Sequence, residues 1–432
     1  MKLLRRLPYY GCIALLAYMP FHIFLSQWLS TYTGGLDEWK LGKDVVTAVL
    51  VLTAVCSVWA FRRGTRLFNR LVIFAAVYGA LHLLLWAVHP DLYKQSALLG
   101  IIYNNRVVWY LLIGYGARLL YPEGFVWRRI VTIVLIISTV VAALGVLQYF
   151  LPKDILTHFG YSTARGVKPN FFIDDNPEFP RIMSTIRDPN TLAAYLMVPT
   201  ALLVHIVLRL RDWRKKITAT ALLALHVAAL YLTFSRSAWA AAAVMIILVV
   251  WWAYRSALWA IVRRYRLVLA ALVLIIGVVA FTQRHNANIN GVLTHATTAQ
   301  VGQYDSNQYH LHYVAKGLEG IVHQPLGHGP GTAGLASIQN PHGGLLTENY
   351  YIQIGYEVGV AGLALFVAMN VGVYVYLWRS KGVWHPVLLA SFWAYVIMNM
   401  LLQIWSNEAV ALQWWLLAGV ALAADVKATP KV

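Results

Sequence analysis

Long apolar runs and short polar breaks alternate along this chain. Each run is about 20 residues long, so a helix rising about 1.5 Å per residue could cross ~30 Å of hydrocarbon. The runs begin close to residues 9, 44, 71, 97, 130, 190, 217, 238, 267, 350, 386 and 409. This pattern predicts an all-α polytopic membrane protein with about 12 transmembrane helices. No internal repeat or linker interrupts it, so residues 1–432 are predicted to form a single integrated transmembrane domain.

Charge predicts how these helices are oriented. Hydrophobic residues make up 59% of the 432 residues and charged residues only 12%, and the net charge is +18. If the N-terminus is cytoplasmic, the inner segments hold 23 of the 35 basic residues but only three of the 17 acidic ones. Cytoplasmic loops retain Lys and Arg, so we expect a multi-pass protein of the bacterial inner membrane with both termini cytoplasmic. The excess of basic residues then marks the cytoplasmic side of the membrane, and membrane lipids are the expected surroundings. Nucleic acid is not an expected partner.

Two long polar segments are predicted to lie in the periplasm. Residues 152–188 form the first, and residues 283–349 form a larger loop between the ninth and tenth helices. The larger loop holds seven of the 14 histidines and the glycine-rich turn PLGHGPG. Apolar residues recur at helical spacing between Leu311 and Val322, which predicts an amphipathic helix over the mouth of the membrane domain.

Arginines lie beside predicted helix starts on the outer side. Asp188 is a predicted N-cap and Pro189 suits the first helical position, which places Arg181 and Arg187 near a helix N-terminus. Arg236 occupies a tight turn, YLTFSRSAW, between two apolar runs. Such positions favour anions, phosphate in particular. A solvated loop of mixed charge remains an alternative for residues 152–188.

Polar residues also occur inside two predicted spans. Arg106 lies about 13 Å from the outer end of the fourth span, so it either lines a polar cavity or has a structural partner. At 100° per residue, one face of the tenth span carries Glu348, Ile352 and three glycines, Gly355, Gly359 and Gly362. Glu348 is predicted at the outer tip of that helix. Glu357 points the opposite way and is expected to pair with a buried base or to support a cavity.

These motifs together resemble those of the O-antigen ligase and O-antigen polymerase superfamily. RIMSTIRDPNTLAAYL is similar to its arginine and Pro-Asn segment, and TFSRSAW is similar to its Ser-Arg turn. HQPLGHGPG and ENYYIQIGYEVGVAGLALF are similar to its glycine loop and Glu-x-Gly-x-x-Gly helix. The resemblance implies a glycosyltransferase that moves a glycan from undecaprenyl diphosphate to an acceptor hydroxyl on the periplasmic face, inverting and without metal or cofactor. The implied acceptor is lipid A core or another lipid-linked glycan.

The resemblance also implies roles for individual residues. Arg236, Arg181 and Arg187 would bind the diphosphate, Glu348 would be the catalytic base and His342 its reserve. The other candidates would line the cavity: Arg106, Asn349, Tyr350 and Glu357. Two positions depart from the family pattern, because many members have His-Asn where this chain has Glu348-Asn349, and usually glycine where it has Ser184.

Other functions stay open at this point. A polymerase of lipid-linked repeat units would share the motifs. A transferase using a polyprenyl-monophosphate sugar would use an acidic pair in the first outer loop, where Asp37-Glu38 lies, and Asp174-Asp175 could hold a metal. The histidine spacings themselves match no metal-ligand pattern. A transporter or flippase of the same lipid-linked glycan is the alternative from a different class, although such proteins tend to show internal repeats.

Overall fold

A computed structural model describes residues 2–122, 127–173, 176–266, 282, 306–380 and 382–424. Helices dominate these residues, which confirms the predicted all-α membrane class. In chain order the α-helices are α1 Lys2–Tyr18, α2 His22–Thr33, α3 Leu36–Ala60, α4 Arg66–Val88, α5 Lys94–Leu120, α6 Trp127–Phe150, α7 Pro189–Tyr195, α8 Met197–Arg209, α9 Trp213–Leu232, α10 Arg236–Arg264, α11 Ser306–His323, α12 Gly334–Ser337, α13 Tyr350–Arg379, α14 His385–Leu401 and α15 Glu408–Ala424.

Within the described residues, nine helical segments are long and apolar enough to cross a membrane. They are Leu3–Thr33, Leu36–Ala60, Arg66–Val88, Lys94–Leu120, Trp127–Phe150, Pro189–Arg209, Trp213–Leu232, Arg236–Trp259 and Tyr350–Arg379. The eleventh and twelfth predicted spans correspond to the shorter apolar helices α14 and α15. The predicted span that begins near residue 267 lies outside the described residues, so the number 12 stays a prediction.

The polar segment 152–188 contains strands that the sequence pattern did not predict. Strands β1, Phe171–Ile173, and β2, Asn176–Arg181, pair antiparallel with a register shift next to Ile173. The predicted N-cap is present, because the Asp188 side chain accepts from the Thr191 N–H (2.9 Å) and Pro189 follows it. In the larger polar segment, α11 confirms a helix at the predicted amphipathic stretch.

Helix α5 lies at the centre of the bundle and packs closely against α15. Gly114 of α5 and Gly419 of α15 make this approach possible, because a Cβ on either would collide with a backbone carbonyl of the other helix, at Leu416 and Leu111. Small residues bring transmembrane helices together in this way. The same packing brings the beginning of α15 next to the polar residues in the middle of α5.

Helix α13 is broken at Gly359, where φ is +74°. Sequence spacing predicted one continuous glycine face here, and that prediction is wrong at this residue. The glycine-rich turn lies against the break, and three backbone hydrogen bonds join the two segments: Val360 N–H to the Pro325 carbonyl (2.9 Å), His328 N–H to the Tyr356 carbonyl (2.9 Å) and Gly329 N–H to the Glu357 carbonyl (3.0 Å). The glycine turn thus supplies backbone partners that an unbroken helix would supply itself.

We expect Gly359→Ala to destabilise the protein by about 3 kcal/mol. The new Cβ would lie 2.6 Å from the Leu326 carbonyl oxygen, and its residue would hold a left-handed conformation that costs about 1–3 kcal/mol by itself. The midpoint of thermal unfolding in detergent measures this. Gly372→Ala is the matched control, because it lies in the same helix and its Cβ would meet nothing within 4 Å. Equal midpoints for the two variants would contradict this account of the break.

Candidate functional site

An open cavity of about 840 Å³ lies where several predicted outer segments meet. Its walls come from the connection between α1 and α2 with the start of α2, from α3, α5 and α7, and from the segments around α12 and the start of α15. The segments 166–167 and 185–187 complete the lining. The polar and charged side chains on its walls are those of His22, Lys40, Lys43, Tyr103, Thr185, Arg187, Thr191, Gln339, Asn407 and Glu408. The cationic side chains on its walls suit a small anionic group.

A buried ion network forms the floor beneath this cavity. Arg106 lies 3.1 Å from Glu408 and 3.7 Å from Asp44, and Lys43 lies 2.6 Å from Asp44. The Arg106 guanidinium also donates to the Ser406 carbonyl (3.0 Å). These contacts match the structural partner that the sequence left open for Arg106. Two cations and two carboxylates balance here, as buried charges require.

Two further cations on the cavity wall lie outside this balanced set. Lys40 donates to the Arg165 carbonyl (3.2 Å). Among the described residues, the Arg187 guanidinium makes no hydrogen bond and no ion pair with a carboxylate. Desolvated positive charge without a carboxylate partner attracts an anion. Arg187 is therefore the predicted diphosphate ligand that the structure places on the cavity.

Arg181 and Arg236 lie at neighbouring turns. The Arg181 guanidinium donates to the Thr233 carbonyl and to Asn190 Oδ1, both at 2.9 Å, so it ties β2 to the turn that leads into α10. Arg236 is the first residue of α10. The Ile182 N–H donates to the Leu232 carbonyl (3.2 Å), so the segment 181–187 runs from the Arg236 turn to the cavity.

Three motif turns each contain a non-glycine residue in the left-handed region. The residues are Ser184 (φ 55°), Phe234 (φ 48°) and Glu348 (φ 51°). At Ser184 this explains the glycine that the superfamily usually carries, since glycine adopts positive φ at little cost. Ser184 is fixed there because its hydroxyl donates to the Val141 carbonyl (2.7 Å). Backbone strain at such turns is common at functional sites.

Glu348 does not belong to the helix on which the sequence placed it. Helix α13 begins at Tyr350, and Asn349 is its N-cap, with Oδ1 accepting from the Ile352 N–H (3.0 Å). Glu348 precedes the cap, and its Oε2 lies 3.3 Å from His310 Nδ1 on α11. The Asn349 amide also donates to the Met400 carbonyl (2.9 Å), which makes Asn349 a capping residue and not a wall of the described cavity.

The remaining predicted residues fall into different environments. His342 is exposed, and Tyr350 is buried with its ring 5.5 Å from that of Phe366. His328 of the glycine turn stacks on Tyr356 with ring centroids 3.9 Å apart, and its burial lowers the pKa below the ordinary value. Neither His342 nor Glu348 is on the wall of the cavity formed by the described residues.

Glu357 anchors the glycine turn from inside the bundle. Its Oε2 accepts from the Asn104 amide (2.6 Å), and its Oε1 accepts from the backbone N–H groups of Gly331 (3.0 Å) and Ala333 (3.1 Å). The side chain is fully buried. The expected partner was a buried base or a cavity, and the observed partners are one side-chain amide and two backbone amides of the glycine turn.

Sequence reasoning did not identify His22, Lys40, Lys43, Asp44 or Glu408. Lys40, Lys43, Asp44 and Glu408 lie at the ends of predicted spans, where a charge is ordinary, and His22 lies inside the first predicted span. The signal that could have found them is the buried Arg106, because an arginine at that depth needs carboxylates and few acidic residues border the spans. In the described part of the chain no three His, Cys, Asp or Glu side chains group as metal ligands, and Asp174-Asp175 lies outside that part.

Comparison with known families places these features in context. Residues 219–367, about a third of the 432 residues, match the family model described as O-antigen ligase. This match supports the resemblance to the O-antigen ligase superfamily over that part of the chain. The matched region includes the Arg236 turn, the glycine turn and the broken α13, and it supports a membrane glycosyltransferase of the ligase or polymerase kind. Comparison with curated proteins finds no match.

We expect Glu357→Gln to lower the free energy of unfolding by about 1–3 kcal/mol. The glutamine amide has one acceptor oxygen where the carboxylate has two, and it lacks the negative charge that strengthens the bonds from Asn104, Gly331 and Ala333. Thermal unfolding of the purified protein in detergent measures the loss. Glu319→Gln is the control, because Glu319 is an exposed residue of α11. An unchanged midpoint for Glu357→Gln would show that the carboxylate does not hold the glycine turn.

Proposed function

We propose that this protein transfers a glycan from undecaprenyl diphosphate to an acceptor hydroxyl at the periplasmic face of the bacterial inner membrane. The observation that supports this proposal is the cavity with Arg187 on its wall, in a chain whose residues 219–367 match the O-antigen ligase family model. A cationic cavity at the outer end of a helical bundle suits a diphosphate whose lipid stays in the bilayer. The acceptor is lipid A core or a second lipid-linked glycan.

In the proposed reaction the acceptor oxygen attacks the anomeric carbon of the donor sugar. The new glycosidic C–O bond forms as the bond from that carbon to the diphosphate oxygen breaks, with inversion at the carbon. The hydroxyl proton passes to a base, and undecaprenyl diphosphate leaves with the electron pair. The site must therefore supply a proton acceptor and positive charge for the leaving group.

Arginine supplies that charge in this proposal. Arg187 and Arg236 contact the diphosphate, and Arg181 fixes the Arg236 turn through its bonds to Thr233 and Asn190. Guanidinium groups bind phosphate oxygens with two parallel N–H donors, so they orient the phosphate as well as neutralise its charge. Arg106 has an indirect role in this proposal, because its ion pair fixes the position of the Glu408 carboxylate on the cavity wall.

Glu348 is the proposed base. It lies half-buried at a strained turn beside His310, and both features fix the direction of its carboxylate. His342 is the reserve base, on the same loop. A carboxylate here instead of the histidine of many ligases favours the polymerase branch as the second candidate, in which the acceptor is itself a lipid-linked glycan.

Glu348→Gln should abolish glycan transfer while the protein stays folded. The amide keeps the size of the side chain but cannot take a proton from the acceptor, which removes about 10²-fold or more of the rate. Transfer is measured with purified protein, lipid-linked donor and lipid A core acceptor, by mobility of the product glycolipid. Glu319→Gln on the exposed face of α11 controls for loss of one negative charge. Near-normal product from Glu348→Gln would remove Glu348 from the role of base.

Arg187→Ala and Arg236→Ala should each reduce transfer by about 10²-fold or more. Each loses positive charge at the leaving diphosphate, which is worth most in the transition state. The same product assay measures this, with folded protein confirmed by size-exclusion chromatography. Arg214→Ala, at an exposed residue near the start of α9, is the matched control. Transfer that survives Arg187→Ala would exclude the cavity as the diphosphate site.

A further inference from the structure

A second, apolar groove lies directly beside the charged cavity. It has an open volume of about 760 Å³ between α1 and α3, and its walls are Leu15, Tyr18, Glu38, Trp39, Gly42, Lys43 and Val46. We propose that this groove holds the isoprenoid chain of a lipid-linked phosphate whose phosphate group lies in the cavity at Lys43, Lys40 and Arg187. This proposal rests on the proposed function, which supplies the donor. It further assigns the binding site of the donor's lipid chain and the lysines that bind its phosphate group.

The groove follows one stripe of α3. Its five α3 residues are spaced i, i+1, i+4, i+5 and i+8, so they share one face over about 12 Å at about 1.5 Å per residue. Trp39 is 37% exposed and Val46 51% exposed, and neighbouring Val45 and Val49 are exposed too. In a membrane helix such side chains face lipid. The groove is therefore open to the bilayer, from which an isoprenoid chain can enter without crossing water.

Lys43 connects the groove with the cavity because it is on the wall of both. Its ammonium group is held by Asp44 (2.6 Å) and by the Lys40 carbonyl (3.0 Å). Beyond it the cavity carries Lys40 and Arg187 outside the balanced ion network, with Asp37 the acidic residue one turn before Lys40. An apolar channel that ends at cations outside any described ion pair fits an amphiphile with one anionic head.

A buried histidine on the cavity wall gives an independent indication of a ligand. His22 is fully buried, and its Nε2 has no hydrogen-bond partner among the described residues. Its other ring nitrogen lies 3.1 Å from the Tyr18 hydroxyl, a residue of the groove. A buried ring nitrogen without a partner costs about 1–3 kcal/mol. A phosphate oxygen in the cavity would supply the acceptor that an Nε2–H requires.

Gly42 allows the lipid part to be tested apart from the head group. A Cβ at Gly42 meets nothing within 4 Å, so a leucine there fits the fold and projects into the open groove. Gly372 of α13 also has nothing within 4 Å of its Cβ position, which makes Gly372→Leu the matched control. Lys153→Ala, at an exposed lysine of the loop after α6, is the control for Lys40→Ala.

The test measures binding by isothermal titration calorimetry in detergent, with undecaprenyl diphosphate and with inorganic diphosphate as probes. Gly42→Leu should weaken undecaprenyl diphosphate about tenfold, because filling the groove displaces roughly two methylene groups. It should leave inorganic diphosphate unchanged. Lys40→Ala should weaken both probes about tenfold, through loss of a charged hydrogen bond. Gly372→Leu and Lys153→Ala should change neither.

Several results would overturn the proposal. If undecaprenyl diphosphate binds Gly42→Leu as tightly as it binds the native protein, the groove is excluded as the lipid site. If Lys40→Ala and Lys153→Ala weaken binding equally, Lys40 contributes only general surface charge and the phosphate site is excluded. A third probe, lipid A, tests the other source of phosphate: if Gly42→Leu weakens lipid A alone, the groove belongs to the acceptor. Binding needs no transfer, so a native protein that binds as expected but forms no product contradicts the proposed function and leaves the groove intact.

Discussion

The break in α13 at Gly359 is the constraint on which the outer half of the structure depends. A helix that breaks near a membrane frees backbone groups that lipid cannot satisfy. Here the glycine turn satisfies them through backbone bonds on both sides of the break. Glu357, two residues before the break, binds the far end of the same turn at Gly331 and Ala333. The turn is wedged between α13 and α5, where Gly100 leaves no room for a side chain against Gly331. One glycine turn therefore sets the spacing of the helices on which the candidate site is built.

Charge balance explains why the site lies where it does. Arg106 is fixed by Glu408 and Asp44, which belong to α15 and α3, so three distant parts of the chain meet at one buried network. Removing these charges from water costs free energy, and the attraction between the opposite charges offsets that cost. Lys40 and Arg187 lie on the cavity wall outside this network, and within the described part of the chain neither forms an ion pair with a carboxylate. Their positive charge favours an anion in the cavity.

Much of the local structure could be predicted from sequence, and the parts that could not share a physical reason. Apolar runs predicted the long helices, and the Asp188-Pro189 pair correctly predicted the start of α7. Both signals depend on residues that are close together in the chain. The partner of Arg106 lies about 300 residues away, and no local pattern indicates it. Helical spacing read Gly359 as a packing glycine, because the turn that breaks the helix there comes from another segment. Glu348 was misplaced for a smaller reason: Asn349 is the better N-cap, so the helix starts one residue after it.

Strain and charge are distributed over different segments, and this division bears on how a transferase could work. Left-handed residues occur in the turns of Ser184, Phe234 and Glu348, whereas Lys40 and Arg187 come from α3 and the loop before α7. If Glu348 is the base, as proposed, its strained turn holds the carboxylate in one direction, which suits a proton transfer that tolerates little error in geometry. Cations on long side chains around an open cavity tolerate movement of a diphosphate as its bond breaks. In this proposal the base needs a rigid backbone, and the cations need side chains that can move. The break in α13 holds that helix against α5. The segment 181–187 is separate from the break and connects the Arg236 turn with the cavity.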